Sequence, residues 1–168
     1  IATGWINFRM RAMLVSFASY HLWLHWRSTV VFLGRQFLDF EPGIHYSQMH
    51  MQSGTTGINA VRIYSPTKQV LDQDPGGEFI KRWVPELENV PKKYISEPSK
   101  MPLDIQSESN CKIGTDYPAP IVEHASAVKK AKERVYACRQ TPEAKEQAQK
   151  IYLKHGSRRR PRKPRARA

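Results

Sequence analysis

The chain has 168 residues, a formal net charge of +12, and a hydrophobic fraction of 40%. This length is enough for one domain with a core of its own, because a domain of about 150 residues buries roughly 70% of its unfolded surface. The longest apolar stretch, residues 13–26, is shorter than the about 20 residues that a bilayer requires and contains two histidines. The composition therefore excludes a membrane span.

The positive charge is concentrated at the C-terminus. The last segment, SRRRPRKPRARA, contains six arginines, one lysine and no acid, and the remaining residues comprise 20 basic and 15 acidic side chains. Prolines interrupt this segment, so we expect a disordered basic tail over residues 157–168. Two interpretations are comparable at this point: a solvated end, and a nonspecific nucleic-acid arm.

The two cysteines indicate the redox state of the compartment in which the protein resides. Cys111 and Cys138 are far apart and fit no metal-ligand spacing. Two isolated cysteines are typical of reduced thiols in an intracellular protein, and a disulfide between them is not favoured.

Apolar residues predict one long N-terminal helix over residues 4–27. Two stripes recur at helical spacing, and a helix that is apolar on most faces lies at the centre of a domain. The stripes consist of Ile6, Met10, Met13, Phe17, Tyr20 and Leu24, and of Trp5, Phe8, Ala12, Val15, Leu22 and Trp26. Because this segment begins at once at Ile1, we expect a fragment whose N-terminal partner is missing.

A second helix follows in the pattern, and then a long loop. Ser28 or Thr29 can cap a helix over residues 30–38. Residues 39–77 combine proline, turn signals and no clean period, which predicts a loop with short helical turns. A loop of this length inside a compact domain is usually functional.

The second half of the chain contains clearer helix signals. Residues 77–83 form a short amphipathic pattern that Pro85 ends, and residues 89–120 predict short turns. Residues 125–140 predict a solvated helix. Thr141 and Pro142 occupy the N-cap and N1 places of a last helix, which ends near Gly156. With no repeat and no convincing strand, the predicted fold class is all-α.

Two arginines interrupt the apolar N-terminal segment. Arg9 and Arg11 lie about 200° apart on a helix, so they face different neighbours and require separate explanations. A buried guanidinium is costly unless it is paired and hydrogen-bonded.

Five blocks carry a resemblance to a known family. They are TGWINFRMR (3–11), DFEPG (39–43), RIYSPTKQ (62–69), DPGGEFIKRWVPEL (74–87) and DYPAPIVEH (116–124). In this order and spacing they resemble the C-terminal part of the FAD-binding helical domain of the photolyase/cryptochrome family. The resemblance implies an all-α domain that binds FAD and receives blue light, without the family's N-terminal antenna domain.

The resemblance also implies the cofactor-binding residues. Arg11 stands at the position that packs beside the flavin and pairs with an aspartate, here Asp39. Phe40 and Glu41 continue the flavin and ribose contacts, although the family usually has a second aspartate where Glu41 stands. From spacing alone, a simple tie between a helix and a loop is the favoured explanation of the Arg11–Asp39 pair, and the resemblance reverses that preference.

Catalytic positions follow in the same way. His45 stands where the family faces flavin N5, usually with an asparagine, and a histidine can titrate near neutral pH. Trp26 matches the middle tryptophan of the electron-transfer chain, and Met49 stands where the flavin-proximal tryptophan usually lies. The alternatives are a histidine bonded to loop backbone and a tryptophan in core packing.

The implied DNA contacts are Phe8, Arg9, Met51, Arg62 and Gln69. For each arginine the alternative is a solvated surface charge. Met51 replaces a tryptophan that stacks on a flipped dimer, and Phe8 replaces an asparagine. A metal site drawn from His45 and His50 fits no ligand motif.

We therefore predict a deoxyribodipyrimidine photolyase-like lyase that repairs pyrimidine dimers in DNA, with the isolated fragment inactive and a cytoplasmic, DNA-associated location. Two alternatives remain: a cryptochrome-like photoreceptor without repair, and a nucleic-acid-binding module acting through the tail. The predicted regions are the family domain (1–124), C-terminal helices (125–156) and the tail (157–168).

Overall fold

The computed structural model describes residues 1–56 and 61–155, and these residues form helices and turns. The α-helices are α1 (Phe8–Ser16), α2 (Trp26–Gly34), α3 (Pro42–Gln52), α4 (Pro66–Gln73), α5 (Glu78–Trp83), α6 (Leu103–Glu108), α7 (His124–Gln140) and α8 (Pro142–His155). The β-pairing within these ranges is one isolated bridge, between Ile113 and Tyr117. The all-α prediction is confirmed.

The N-terminal segment is not one helix. α1 begins at Phe8, where the Asn7 side chain accepts a hydrogen bond from the Met10 amide (3.0 Å). It ends at Ser16 and continues as a wide π-helical turn, Phe17–His21. The backbone then enters the left-handed region at Trp23, with φ of 54°. A bulky residue rarely adopts this conformation, and a right-handed helix cannot continue through it. The prediction of a single helix over 4–27 was therefore wrong.

The second helix begins and ends earlier than predicted. α2 starts at Trp26, because the ring nitrogen Nδ1 of His25 accepts a hydrogen bond from the Arg27 amide (3.3 Å) and caps the helix. It ends at Gly34, whereas Ser28 or Thr29 was expected as the cap and residue 38 as the end.

The predicted loop over residues 39–77 contains two full helices. Glu41 caps α3 and Pro42 follows at its first position, and Ser65 and Pro66 do the same for α4. Proline is well suited to this place, since the first helical amide has no partner in the helix. The turn signals in this segment were therefore helix starts.

The later helices follow the sequence pattern closely. α5 (Glu78–Trp83) and α7 (His124–Gln140) confirm the predicted helices within one residue, and α8 begins at Pro142 as expected. Residues 89–120 contain turns at Lys92–Tyr94 and Pro98–Lys100 together with the six-residue α6. The predicted end at Gly156 and the tail lie outside the described residues.

Two hydrophobic cores lie in the first part of the chain. Val15, Val30, Leu33, Phe37 and Met49 join α1, α2 and α3, with Ile6 and Trp26 against them. The second core contains Leu87, Val90, Ile95, Met101 and Cys111.

Gly77 has to be glycine for this second core to form. Its φ is +75°, and a Cβ atom there would lie 2.5 Å from Cγ1 of Ile95. A left-handed conformation and so close an approach both require a residue without a side chain.

The chain divides into two compact units, residues 1–131 and 132–168. Both cores belong to the first unit. Described residues of the second unit comprise the end of α7 and all of α8. The described helices are all too short or too polar to cross a membrane. Cys111 is buried, Cys138 is exposed, and both are free thiols.

Candidate functional site

A cavity of about 310 Å³ opens beside α1 and α3. Its apolar wall consists of Trp5, Ile6, Phe8, Phe40, Ile44 and Met49. Its polar groups are Arg11, Asp39, Glu41, His45 and Gln48. Mostly apolar walls with a few convergent polar groups are typical of small-molecule sites, which range from roughly 300 to 1,000 Å³.

Arg11 is fixed at the edge of this cavity by three neighbours. Its Nε donates to the Ile6 carbonyl (2.9 Å), and its Nη2 donates to both carboxylate oxygens of Asp39 (2.9 Å each). The guanidinium carbon also lies 4.1 Å from the centre of the Phe37 ring. Within the described residues these hydrogen bonds use Nε and Nη2, so Nη1 keeps its donors for a ligand.

The ion pair joins a nearly buried cation to a half-exposed anion. The Arg11 side chain is 13% exposed and that of Asp39 is 50% exposed. The hydrogen bond from Arg11 lowers the pKa of the Asp39 carboxyl below its ordinary value, and the positive charge of Arg11 adds to this effect. Asp39 is therefore an ionised acceptor at neutral pH, with solvent-facing lone pairs.

His45 lies at the inner end of the cavity and is 6% exposed. Its Nε2 is 2.9 Å from the carbonyl of Val30, in α2. A carbonyl only accepts hydrogen bonds, so Nε2 carries the proton and Nδ1 is the acceptor of the neutral ring. The bond anchors the ring to the backbone of α2, and not to the loop backbone that the alternative named, and the same ring also lines the cavity.

Phe40 closes the side of the cavity next to His45. The two ring centres are 5.1 Å apart in an edge-to-face arrangement, and the Phe40 side chain is 39% exposed. Gly34 allows this approach, because a Cβ atom there would lie 3.0 Å from Cε2 of Phe40 and 3.4 Å from Nε2 of His45.

Glu41 lies in the cavity wall and also caps α3. Its carboxylate accepts hydrogen bonds from the backbone amides of Gly43 (3.0 Å) and Ile44 (2.5 Å) and caps α3. The cap fixes the start of the helix that carries His45 and Met49 into the cavity.

Of the two residues at the expected electron-transfer positions, Met49 belongs to the cavity wall and Trp26 does not. Met49 is 1% exposed and belongs to the first core, and Trp26 packs against that same core. The Trp26 ring centre is 3.8 Å from that of His50, with the rings edge to face. Core packing of Trp26, the structural alternative, is thus observed.

The five residues expected to contact DNA are not brought together in the cavity. Phe8 lines it, and its side chain is 47% exposed. Arg9 and Arg62 are exposed, whereas Met51 and Gln69 are partly buried. The Oε1 atom of Gln69 is buried and has no hydrogen-bond partner among the described residues.

Several residues at the site were not anticipated from the sequence. Phe37, Ile44 and Gln48 contribute to the site, and Ile44, His45, Gln48 and Met49 share one face of α3. The Glu41–Pro42 pair was the available signal, since an acid followed by proline is a helix start, and the face then follows from helical spacing. Among the described residues, no cluster of three or more histidine, cysteine, aspartate or glutamate side chains is arranged to hold a metal.

Fold and site together define a helical domain with an aromatic cofactor cavity. Residues 1–137 match the protein family described as the FAD binding domain of DNA photolyase. Since this match covers most of the chain, the chain belongs to the photolyase/cryptochrome family, and its cofactor is FAD.

Individual relatives include both repair enzymes and photoreceptors. The chain is 35% identical to deoxyribodipyrimidine photo-lyase of Alkalihalophilus pseudofirmus over 130 residues, covering 76% of this chain and 27% of that protein. It is 32% identical to cryptochrome-1 of Aedes aegypti over 131 residues, covering 76% and 24%. The chain thus spans about a quarter of the length of these relatives.

The fold agrees with a solved structure of the family. A bacterial class III photolyase from Agrobacterium tumefaciens superposes with a TM-score of 0.77 at 29% identity, covering 82% of this chain and 29% of that one.

The residues present fit one part of FAD. The cavity lies at the lower end of the usual range of volumes, which suits a planar ring system and not a complete dinucleotide. Aromatic walls can stack on such a ring. The Nη1 donors of Arg11 and the acceptors of Asp39 complement its polar edge, because a planar fork of donors recognises a planar partner well.

Proposed function

We propose that this chain is the flavin-ring-facing part of the FAD-binding domain in a photolyase-like flavoprotein that repairs pyrimidine dimers in DNA. The observation that carries the proposal is the Arg11–Asp39 pair, which holds charged donors and acceptors at the edge of an aromatic-lined cavity. Bound FAD supplies the absorption of blue light and the transfer of an electron. In this proposal the protein acts inside the cell, on DNA.

Arg11 and Asp39 orient the cofactor. Arg11 is held by Ile6, Asp39 and Phe37, so its guanidinium does not have to be ordered when the ligand binds. This preorganisation lowers the entropic cost of binding. The ionised Asp39 would accept a hydrogen bond from a ring N–H, and Phe40 and Glu41 would complete that edge of the site.

His45 is the residue that would hold or receive a proton beside the bound ring. Its Nε2 proton is engaged by the Val30 carbonyl, so Nδ1 is the atom available to a ligand. As an acceptor, Nδ1 can hold or receive a proton there. In this role His45 controls the protonation of the group beside it.

Trp26 serves as the relay through which an electron reaches the site. It lies against the core that contains Met49, and Met49 lines the cavity. Electrons from Trp26 therefore have to pass a methionine instead of a second indole.

The DNA lies over the mouth of the cavity in this proposal. Phe8 contacts the extracted base, whose removal from the stack costs a few kcal/mol and is partly offset by stacking on aromatic side chains. Arg9 and Arg62 are exposed and neutralise phosphates, with Met51 and Gln69 as further contacts.

The test is a repair assay with the full-length protein and DNA that contains pyrimidine dimers. Blue light should convert dimers to monomers, and darkness should not. Arg11→Ala should weaken flavin retention and repair together. Flavin retention without any light-dependent repair would contradict the repair function and leave the flavin site intact.

A second candidate is a cryptochrome-like photoreceptor that binds flavin without repairing DNA. The specific observation in its favour is Met49, which is fully buried at the place expected for the flavin-proximal tryptophan. The assay above separates the two candidates, because the photoreceptor would respond to blue light and leave the dimers unchanged.

A further inference from the structure

Two histidines that are far apart in the sequence meet in the first unit. Nε2 of His21, at the end of the π-helical turn, lies 2.8 Å from Nδ1 of His124, the first residue of α7. Their rings stack with centres 5.0 Å apart and planes at 26°. The contact fastens the first turn of α7 to the N-terminal helices across 103 positions of sequence.

His21 is enclosed on its remaining sides. It is 6% exposed, and its other face stacks on Phe17 at 4.8 Å between ring centres. Its Nδ1 atom is buried and has no hydrogen-bond partner among the described residues. A charge on this ring would therefore have little solvent to stabilise it.

The geometry limits the number of protons that the pair can hold. A hydrogen bond between two imidazole nitrogens needs one N–H and one lone pair. If both rings become imidazolium, a proton stands on each of the two facing nitrogens and two positive charges meet. Two added protons convert the two neutral rings into imidazolium ions, and the second of them therefore has to break the contact.

The surroundings supply no negative charge to His21 itself. The π-helical turn is in contact with α1, α2 and α7. The charged side chains on these elements within the first unit are all cationic: Arg9, Arg11, Arg27, Lys129 and Lys130. Glu123 precedes α7, and its carboxylate accepts hydrogen bonds from the amides of Ala125 and Ser126 and interacts electrostatically with His124, so it favours a charge on His124 and not on His21.

The balance of these effects disfavours a charged His21. Burial lowers the pKa of His21 below its ordinary value of 6.5, and the charge of His124 lowers it further. The backbone of Ser16 acts in the opposite direction and does not outweigh them.

We propose that the His21–His124 contact is a proton-operated clasp, which holds the beginning of α7 on the π-helical turn at neutral pH and opens on acidification. A group whose pKa is lowered by folding binds fewer protons in the folded state than in the open one. The stabilisation is therefore fully present above pH 6.5, and it is lost as the pH falls from there towards the lower pKa of the folded form. Opening concerns the start of α7, because His124 and the buried residues Ala127 and Ala131 all lie between residues 124 and 131.

Amide hydrogen exchange of the full chain tests the clasp. The protection of amides 125–131, corrected for the intrinsic pH dependence of exchange, should fall below pH 6.5 by up to about tenfold per pH unit. Protection in α5 should be unchanged over the same range. A flat profile for the α7 amides of the wild-type protein would overturn the proposal.

Two variants replace the titrating groups and keep the hydrogen bond. In His21→Gln the amide nitrogen takes the place of Nε2, and in His124→Asn the amide oxygen takes the place of Nδ1. Both should hold α7 equally at pH 7 and at pH 5.5. His50→Gln is the matched control, since it removes a histidine that contacts Trp26 and Thr55 instead, and it should keep the wild-type pH profile.

NMR spectroscopy of the wild-type protein also tests the clasp. Histidine ring NMR signals of the wild-type protein should show His21 taking up its proton below pH 6.5, together with a change in the α7 signals. If His21 titrates at its ordinary pKa and α7 does not respond, or if His21→Gln retains the wild-type exchange profile, the clasp is wrong.

Discussion

Gly34 and Phe40 approach so closely that a methyl group added to Gly34 would push the Phe40 ring away. A Cβ atom on Gly34 would stand 3.0 Å from Cε2 and 3.3 Å from Cδ2 of the Phe40 ring, and 3.4 Å from Nε2 of His45. Gly34 is the last residue of α2, and Phe40 and His45 are two walls of the cavity. The absence of a side chain at one helix end thus sets the position of both rings.

Gly34→Ala should narrow the cavity without unfolding the domain. Alanine gains up to about 1 kcal/mol of helix propensity, and displacing the rings costs roughly 1–3 kcal/mol, so the net loss of stability is small. We expect weaker retention of FAD by the full-length protein, measured by flavin fluorescence after gel filtration. Gly76→Ala is the control, because its Cβ atom would meet its nearest neighbour at an ordinary 3.6 Å. Equal retention in both variants would contradict the role given to Gly34.

Substitutions of Arg11 and of Arg9 should have separate effects, the first on flavin binding and the second on DNA binding. Removing Arg11 deletes charge-assisted hydrogen bonds of about 1.5–3 kcal/mol, so Arg11→Ala should weaken FAD binding by roughly 10- to 100-fold. Arg9 is exposed on the same helix, so Arg9→Ala should keep the flavin. It should instead reduce the salt dependence of DNA binding by about 0.9 in the log–log slope, the contribution of one phosphate contact.

Flavin titration and DNA binding at several salt concentrations, on the same preparations, check this pair of variants. Normal flavin retention in Arg11→Ala would refute the assignment of Arg11. Loss of flavin in Arg9→Ala would show that the two arginines are not separable.

Trp26→Phe tests the electron route past Met49. The substitution keeps an aromatic ring against the first core but removes the indole, which is the easier group to oxidise. Under blue light with a reductant, the flavin absorption of the full-length protein should bleach at least an order of magnitude more slowly. Trp83→Phe is the control, since Trp83 lies on α5, outside the cavity wall and the first core. An unchanged bleaching rate in Trp26→Phe would mean that electrons arrive by another path.

Deletion of residues 157–168 tests the nucleic-acid arm. The segment carries seven cations, so its loss should lower the log–log salt slope of duplex binding by up to about 6 if every cation neutralises a phosphate. Light-dependent repair should survive if the cavity is the site of the lesion. If all DNA affinity disappears with the tail, the cavity is not the binding site, and the module acting through its tail becomes the better description.

Local sequence signals were sufficient where a helix has a clear start and one solvated face. Thr141 and Pro142 mark the start of α8, and the apolar stripe of α7 is regular, so both were predicted within one residue. The start signals of α3 and α4 were also present, but proline and glycine in the same segment are equally typical of turns. Only the capping bonds of Glu41 and Ser65 decide between these two structures.

The family, the all-α fold class and the Arg11–Asp39 pair follow from the order of residues, because five blocks in register specify a known domain. The break in the N-terminal helix, the face of α3 that forms the cavity wall, and the contact between His21 and His124 follow from the folded structure. These features depend on contacts between residues far apart in the chain, such as Gly34 with Phe40 and the π-helical turn with α7. Apolar periodicity reports that a residue is buried and not which neighbour buries it.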